Sequence, residues 1–188
     1  MFSRVEYKSK EERVLLLKCC CLTVVLAVLD QFTKYLVMQN MKFMESIPVI
    51  PGFFNLTYIT NPGAAWGILS NRGILLLTIS MIVVLLILVF YKELCCFWSE
   101  RYYSLGLVFS GILGNTYDRI FRSTEGGICN GQVVDFLDFY IGSSHWPCFN
   151  VADSCICLGC FIFVLSNFIR PEDKDKSSRQ NDSKHKTV

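Results

Sequence analysis

The chain has 188 residues, 52% of them hydrophobic, with a mean hydropathy of +0.40, which excludes an ordinary soluble domain of this length. Its net charge of +2 conceals a lopsided layout, because the basic residues gather at the two ends. Acidic residues dilute those clusters and few aromatics interleave with them, which argues against a nucleic-acid surface.

Arg4, Lys8, Lys10, Arg13 and Lys18 lie before or at the start of the first apolar stretch, residues 14–29. This stretch is longer and more polar at its edges than a secretory signal, and Asp30 stands where a small-residue cleavage site is expected. It reads as a retained helix spanning residues 14–38. Asp30 and Lys34 are four apart and read as an ion pair on the helix surface. Residues 39–72 follow as an outer segment, in which Pro51 and Gly52 interrupt a run rich in Phe, Thr, Tyr and Ile at 49–60. That composition predicts short strands at the membrane surface. Asn55, Leu56 and Thr57 match a glycosylation pattern that is common by chance.

The second span, 73–91, carries no charge. Residues 92–101 form the only predicted cytoplasmic loop, which Lys92 and Arg101 suit. The third span, 102–118, ends at Asp118, with Asn115 one turn earlier on the same face and Arg119 favourable at a helix C-terminus. Gly106, Ser110 and Gly114 are spaced four apart and form a small-residue stripe, predicted to meet the shorter one of Cys155 and Gly159 on the fourth span.

Residues 119–148 return outside, and there Asp135 sits within the apolar run Val133, Val134, Phe136, Leu137. Helix capping does not account for Asp135, and Asp138 is its nearest rival. The fourth span, 149–169, follows Pro147, with Asn150 as N-cap and Asp153 at the third helical position. Arg170, Lys174, Lys176, Arg179, Lys184 and Lys186 then mark a polar tail, and residues 171–188 read as a disordered cytoplasmic segment. Spans at 14–38, 73–91, 102–118 and 149–169 therefore make one membrane domain over residues 1–170. Both termini are cytoplasmic by the positive-inside rule.

Most of the ten cysteines lie in apolar runs, where Cys acts as a small apolar residue. Cys129 and Cys148 fall in the outer loop, and their redox state is left open. Cys157 and Cys160 have CxxC spacing but no second such pair. With His145 and His185 the only histidines, a zinc site is disfavoured. Carboxylates near hydrocarbon are expensive, so the gathering of Asp30, Asp118, Asp135 and Asp153 at one membrane face points to function.

Five pieces, in order and at their spacing, resemble the lipoprotein signal peptidase (signal peptidase II) family. They are Asp30-Gln31-Phe32-Thr33-Lys34; Asn61-Pro62-Gly63-Ala64-Ala65-Trp66-Gly67; Gly111-Ile112-Leu113-Gly114-Asn115-Thr116-Tyr117-Asp118-Arg119; Val133-Val134-Asp135-Phe136; and Phe149-Asn150-Val151-Ala152-Asp153-Ser154. The resemblance implies an all-α integral membrane fold of four transmembrane helices with a small extracytoplasmic β-sheet at the membrane surface. It implies an aspartic endopeptidase of the bacterial inner membrane that cuts prolipoproteins before a diacylglyceryl-modified cysteine, with no metal or organic cofactor. Its partners would be lipid-modified prolipoproteins and membrane lipids, and the chain is expected to be monomeric.

Carried over by position, Asp135 and Asp153 match the family's catalytic pair. Asp30, Lys34, Asn61, Gly63, Ala65, Gly111, Gly114, Asn115, Asp118, Arg119, Asn150 and Ala152 match its substrate-binding or supporting positions. Pro62, a longer loop at 123–131 and the wealth of cysteine depart from the pattern. Two other readings compete. One is a small transporter or proton-coupled permease, against which stands the lack of any carboxylate on the second span. The other is a structural membrane protein whose aspartates only cap helices.

Overall fold

The computed structural model describes residues 2–63, 69, 72–95, 98–122 and 131–169. The predicted tail at 171–188, Ala65 and Cys129 lie outside them. Four helices, α1 (Phe2–Asn40), α2 (Gly73–Cys95), α3 (Ser99–Phe121) and α4 (Val151–Ile169), are combined with strands β1 (Ser46–Ile50), β2 (Phe54–Asn61), β3 (Val133–Ile141) and β4 (Ser144–His145).

No Gly or Pro interrupts the 39 residues of α1, so nothing stops its helix for about 58 Å at 1.5 Å per residue. Helices α1, α2 and α4 are each long and apolar enough to cross a membrane. Helix α3 has 23 residues, also enough in length, but it is the polar member of the bundle. Arg101, Ser104, Ser110, Asp118 and Arg119 are all buried along it, because the other three helices pack around it. Arg101 thus corrects the sequence reading. It belongs to a buried helix rather than a solvated loop, with Nε donating to Ser166 Oγ of α4 at 3.2 Å and Nη1 to the Leu94 carbonyl of α2 at 3.4 Å.

The small residues of α3 divide between two neighbours rather than facing α4 alone. Gly106 meets α1, where Thr23 Oγ1 donates to its carbonyl at 3.1 Å and a Cβ would collide with Cys19. Gly111 meets α4, and a Cβ there would fall well inside contact distance of the Ala152 carbonyl oxygen. Gly114 touches both, between the Asp30 carboxylate and the Ala152 side chain. On α4, Gly159 fits against Ser104 and Val108 of α3.

The short strands expected around residues 49–60 are present and pair as the β1–β2 hairpin. Pro51 and Gly52 (φ +82°) make its turn, closed by Phe53 N–H donating to the Ile50 carbonyl at 3.0 Å, as a type II turn with Pro then Gly requires. Strands β3 and β4, which the sequence reading did not identify, complete an antiparallel sheet in the order β1-β2-β3-β4. Val134 and Phe136 of β3 pack on Val37 and Met41 at the end of α1. A second cluster, Ile87, Cys95, Tyr102, Leu105 and Val108, joins α2 to α3. The sheet is therefore fixed to one end of the bundle, where α1 and α3 finish and α4 begins.

Candidate active site

That end of the bundle collects the buried charges. Lys34 Nζ lies 2.8 Å from Asp30 Oδ2 and 2.9 Å from Asp118 Oδ2, and it donates to Asn115 Oδ1 at 3.2 Å. All three ions are inaccessible to solvent, so Asp30 and Lys34 are not the surface pair expected from their spacing. A buried ammonium requires such a complete shell, since an unpaired charge at this depth would cost several kcal/mol.

The carboxylates of that shell also hold backbone. Asp30 Oδ1 accepts from Ala152 N–H at 2.9 Å in the first turn of α4, where the helix dipole favours an anion. Asp118 Oδ2 accepts from Val134 N–H of β3 at 3.2 Å. One cation thereby ties α1, α3, β3 and α4 together. Gln31 Nε2 bridges Asp30 and Asp118 at 3.1 and 3.0 Å, and Arg122 reaches Asp118 Oδ1 at 2.7 Å and Gln31 Oε1 at 2.9 Å. Sequence reasoning gave neither Gln31 nor Arg122 a role, although the i,i+4 spacing of Asp118 and Arg122 was a readable signal.

Above this layer two asparagines connect the shell to Asp135 and Asp153. Asn115 Nδ2 donates to Asp153 Oδ1 at 2.8 Å. Asn150 caps α4 as expected, and the cap is reciprocal: Asp153 N–H donates to Asn150 Oδ1 at 2.9 Å and Asn150 N–H to Asp153 Oδ2 at 3.3 Å. The free half of the Asn150 amide then donates to Asp135 Oδ1 at 2.7 Å and to the Val134 carbonyl at 3.2 Å. A single residue thus contacts both carboxylates, one through its backbone and one through its side chain.

Asn61, the last residue of β2, donates to the other oxygen of Asp135 at 3.2 Å. Its side-chain Oδ1 accepts from Gly63 N–H at 2.9 Å, and the Gly63 backbone carbonyl accepts from Arg119 Nη2 at 2.6 Å. Arg119 Nη1 is buried with no hydrogen-bond partner among the described residues. A guanidinium N–H next to two carboxylates, yet bonded to neither, is a donor available to a carbonyl group.

Burial pushes the Asp135 carboxyl up to about 7, reinforced by the charge of Asp153 and opposed by the Asn61 and Asn150 amides and Lys34. Its rival Asp138 goes the other way. Burial alone would raise it, but hydrogen bonds from His145 and Thr57 hold it below the usual carboxylate range. Asp138 accepts from Thr57 Oγ1 at 2.9 Å and pairs with His145 Nδ1 at 2.8 Å, so its oxygens are committed within the sheet. Burial and the charges of Asp135 and Asp138 push the nearby Cys148 thiol up to about 12, which leaves it protonated and a poor nucleophile.

Asp30, Lys34, Asn61, Gly63, Gly111, Gly114, Asn115, Asp118, Arg119, Asn150 and Ala152 are thus brought together around Asp135 and Asp153. Comparison with known proteins places the whole chain. Residues 22–169 match the family model described as signal peptidase (SPase) II. The lipoprotein signal peptidase of Desulforapulum autotrophicum is 44% identical over 154 residues, covering 79% of this chain and 90% of that protein. Its counterpart in Pelotomaculum thermopropionicum is 42% identical over 156 residues, covering 83% and 93%. A solved bacterial membrane enzyme structure, obtained by the in meso method, superposes with a TM-score of 0.73 at 32% identity, covering 84% of this chain and 91% of that one. The chain belongs to the signal peptidase II family.

Proposed function

We propose that the chain is a four-span aspartic endopeptidase, with Asp135 and Asp153 as its reacting pair, that removes signal peptides from diacylglyceryl-modified prolipoproteins. The observation that carries this reading is Asn150, whose backbone N–H and side-chain amide hold the two carboxylates in one hydrogen-bonded unit. Two carboxylates so close titrate as a pair. A value of about 7 for Asp135 suits a group that must both hold and release a proton near neutrality.

The ionised member takes a proton from a water as it attacks the scissile carbonyl. The protonated member hydrogen-bonds to the carbonyl oxygen and, as the C–N bond breaks, gives its proton to the leaving amine, while the proton taken from water stays on its partner. Arg119 Nη1 supplies a further donor to the peptide backbone. Neither an acyl-enzyme nor a thiol is required.

The end of the bundle that carries the pair, Asp135 on β3 and Asp153 on α4, would lie at the outer face of the bacterial inner membrane, with both termini cytoplasmic and the sheet resting on the bilayer. Lipid chains of the substrate stay beside the helices while the peptide bond reaches the carboxylates. A permease reading finds no support in α2, whose span carries no charge from residue 73 to 91. The test is incubation of the purified protein with a diacylglyceryl-modified prolipoprotein. The shortened product is expected, and its absence under conditions where the protein is folded would overturn the reading.

A further inference from the structure

We propose that Asp138 and His145 act as a positioning pair, clamping the segment that delivers Asn150 to Asp135. The proposal rests on the reading of Asp135 and Asp153 as the reacting pair.

The segment from Ser144 to Asn150 runs antiparallel to β3 and closes onto it step by step. Ser144 faces Ile141 and His145 faces Tyr140. Trp146 N–H donates to the Phe139 carbonyl at 2.8 Å. Pro147 has no N–H, and Cys148 turns away, its thiol 3.8 Å from the Thr57 carbonyl of β2. Contact resumes only at Phe149, which exchanges bonds of 2.8 and 3.2 Å with Leu137. Asn150 follows and reaches Asp135.

The backbone ladder is thus interrupted two residues before the residue that bridges the pair. His145 stands on the far side of that gap and compensates through its side chain. Its Nδ1 lies 2.8 Å from Asp138 Oδ1, and its ring stacks on Tyr140 at 4.9 Å. Asp138 is anchored in turn by Thr57 Oγ1 of β2, which bonds Ser46 Oγ of β1 at 2.8 Å. One polar residue from each strand therefore forms a chain across the sheet, Ser46, Thr57, Asp138, His145, with its charge at the hinge of the approach segment. Asn55 and Thr57 from β2 face Asp138, Tyr140 faces His145, and Cys148 is the nearest titratable group on the segment itself. The His145 side chain is 51% exposed, so solvent screens the pair and its effect is modest.

The test compares His145→Gln, Asp138→Asn and the double variant with the wild type in steady-state cleavage of diacylglyceryl-modified prolipoprotein. For a half-exposed pair, each single change is expected to lower kcat by about threefold to tenfold with KM held within about twofold. The double variant is expected to lose no more than either single one, because the interaction is removed only once. A raised KM with unchanged kcat would make His145 a substrate contact and overturn the proposal, as would additive losses or wild-type kcat in the single variants. If a single variant does not fold, the exchange Asp138→His with His145→Asp decides: recovered cleavage supports the pair and continued loss refutes it. Asp135→Asn and Asp153→Asn are run alongside. Cleavage by either would sink the assignment of the reacting pair itself, whereas their inactivity beside a fully active His145→Gln would sink only the clamp.

Discussion

Replacing Asp135 with Asn should make the protein more stable above neutrality while removing its activity. Burial raises the Asp135 carboxyl to about 7 in the folded chain, against about 3.9 when unfolded. The folded state then binds more protons than the unfolded state between those values, so this group's contribution to stability falls as pH rises through the window and is constant above it. Three units correspond to an upper bound of about 4 kcal/mol of destabilisation at pH 8, and about 1–2 kcal/mol at pH 5. Asn escapes that cost but turns an N–H toward Asn61 or Asn150, both of which donate to the wild-type carboxylate, and loses about 1–3 kcal/mol in doing so. The variant should therefore gain about 1–3 kcal/mol at pH 8 and nearly nothing at pH 5. At about 2–4 °C per kcal/mol, thermal unfolding of the detergent-solubilised protein at the two pH values resolves the difference. Loss of a general acid or base should slow cleavage by about 10²- to 10⁴-fold. A variant less stable than wild type at pH 8, or one cleaving within tenfold of wild type, would refute the reasoning.

Four more outcomes are expected. Asp153→Asn should abolish cleavage yet keep the α4 cap, since the Asn150 side chain still accepts from the residue 153 N–H and an amide oxygen can still accept from Asn150 N–H, and the double variant with Asp135→Asn should be hardly slower than either single one in the same assay. Lys34→Met should destabilise by about 3–5 kcal/mol, because Asp30 would be left as a buried uncompensated anion and Asp118 with Arg122 alone; an unchanged unfolding midpoint would contradict the shared-cation account. Gly111→Ala should cost about 1–3 kcal/mol by pushing α3 from the Ala152 carbonyl, and cleavage should fall with it, whereas Gly142→Ala, at an open turn with φ +61°, should leave cleavage intact. Reporter fusions after Leu56 and Ser144 should both read as external, and a cytoplasmic signal from either would overturn the proposed topology.

Much of the site was legible because its residues are costly anywhere else. Asp135 in an apolar run and Asp153 one turn into a span each stood out in the sequence, and the structure buries the first and half-buries the second. The N-cap role of Asn150 followed from Pro147 and the apolar run behind it, but its second role did not. Local spacing reports contacts three or four residues away, and Asn150 reaches Asp135 across fifteen positions. The same limit explains Asp30 and Lys34. Their separation fits a solvated ion pair equally well, and only Asp118, 84 residues beyond Lys34 in sequence, makes burial affordable. Strand β3 escaped notice because its buried face and its charged residues mix, so Val133 to Leu137 read as an apolar run and not as an alternating pattern. The glycine stripe on α3 was visible, but periodicity identifies a close-packed face without naming its partner.

The polar character of α3 has a consequence for the order in which the molecule is made. Helix α4 emerges from the ribosome after the other three, and it brings the Ser166 hydroxyl for Arg101, the Ala152 amide for Asp30 and Asp153 for Asn115. A nascent chain without α4 holds α3, the helix with the most buried polar side chains, with one flank uncovered, and it holds only one member of the proposed reacting pair. Completion of the bundle and completion of the peptidase are therefore the same event, so a half-built chain cannot cut its neighbours in the membrane.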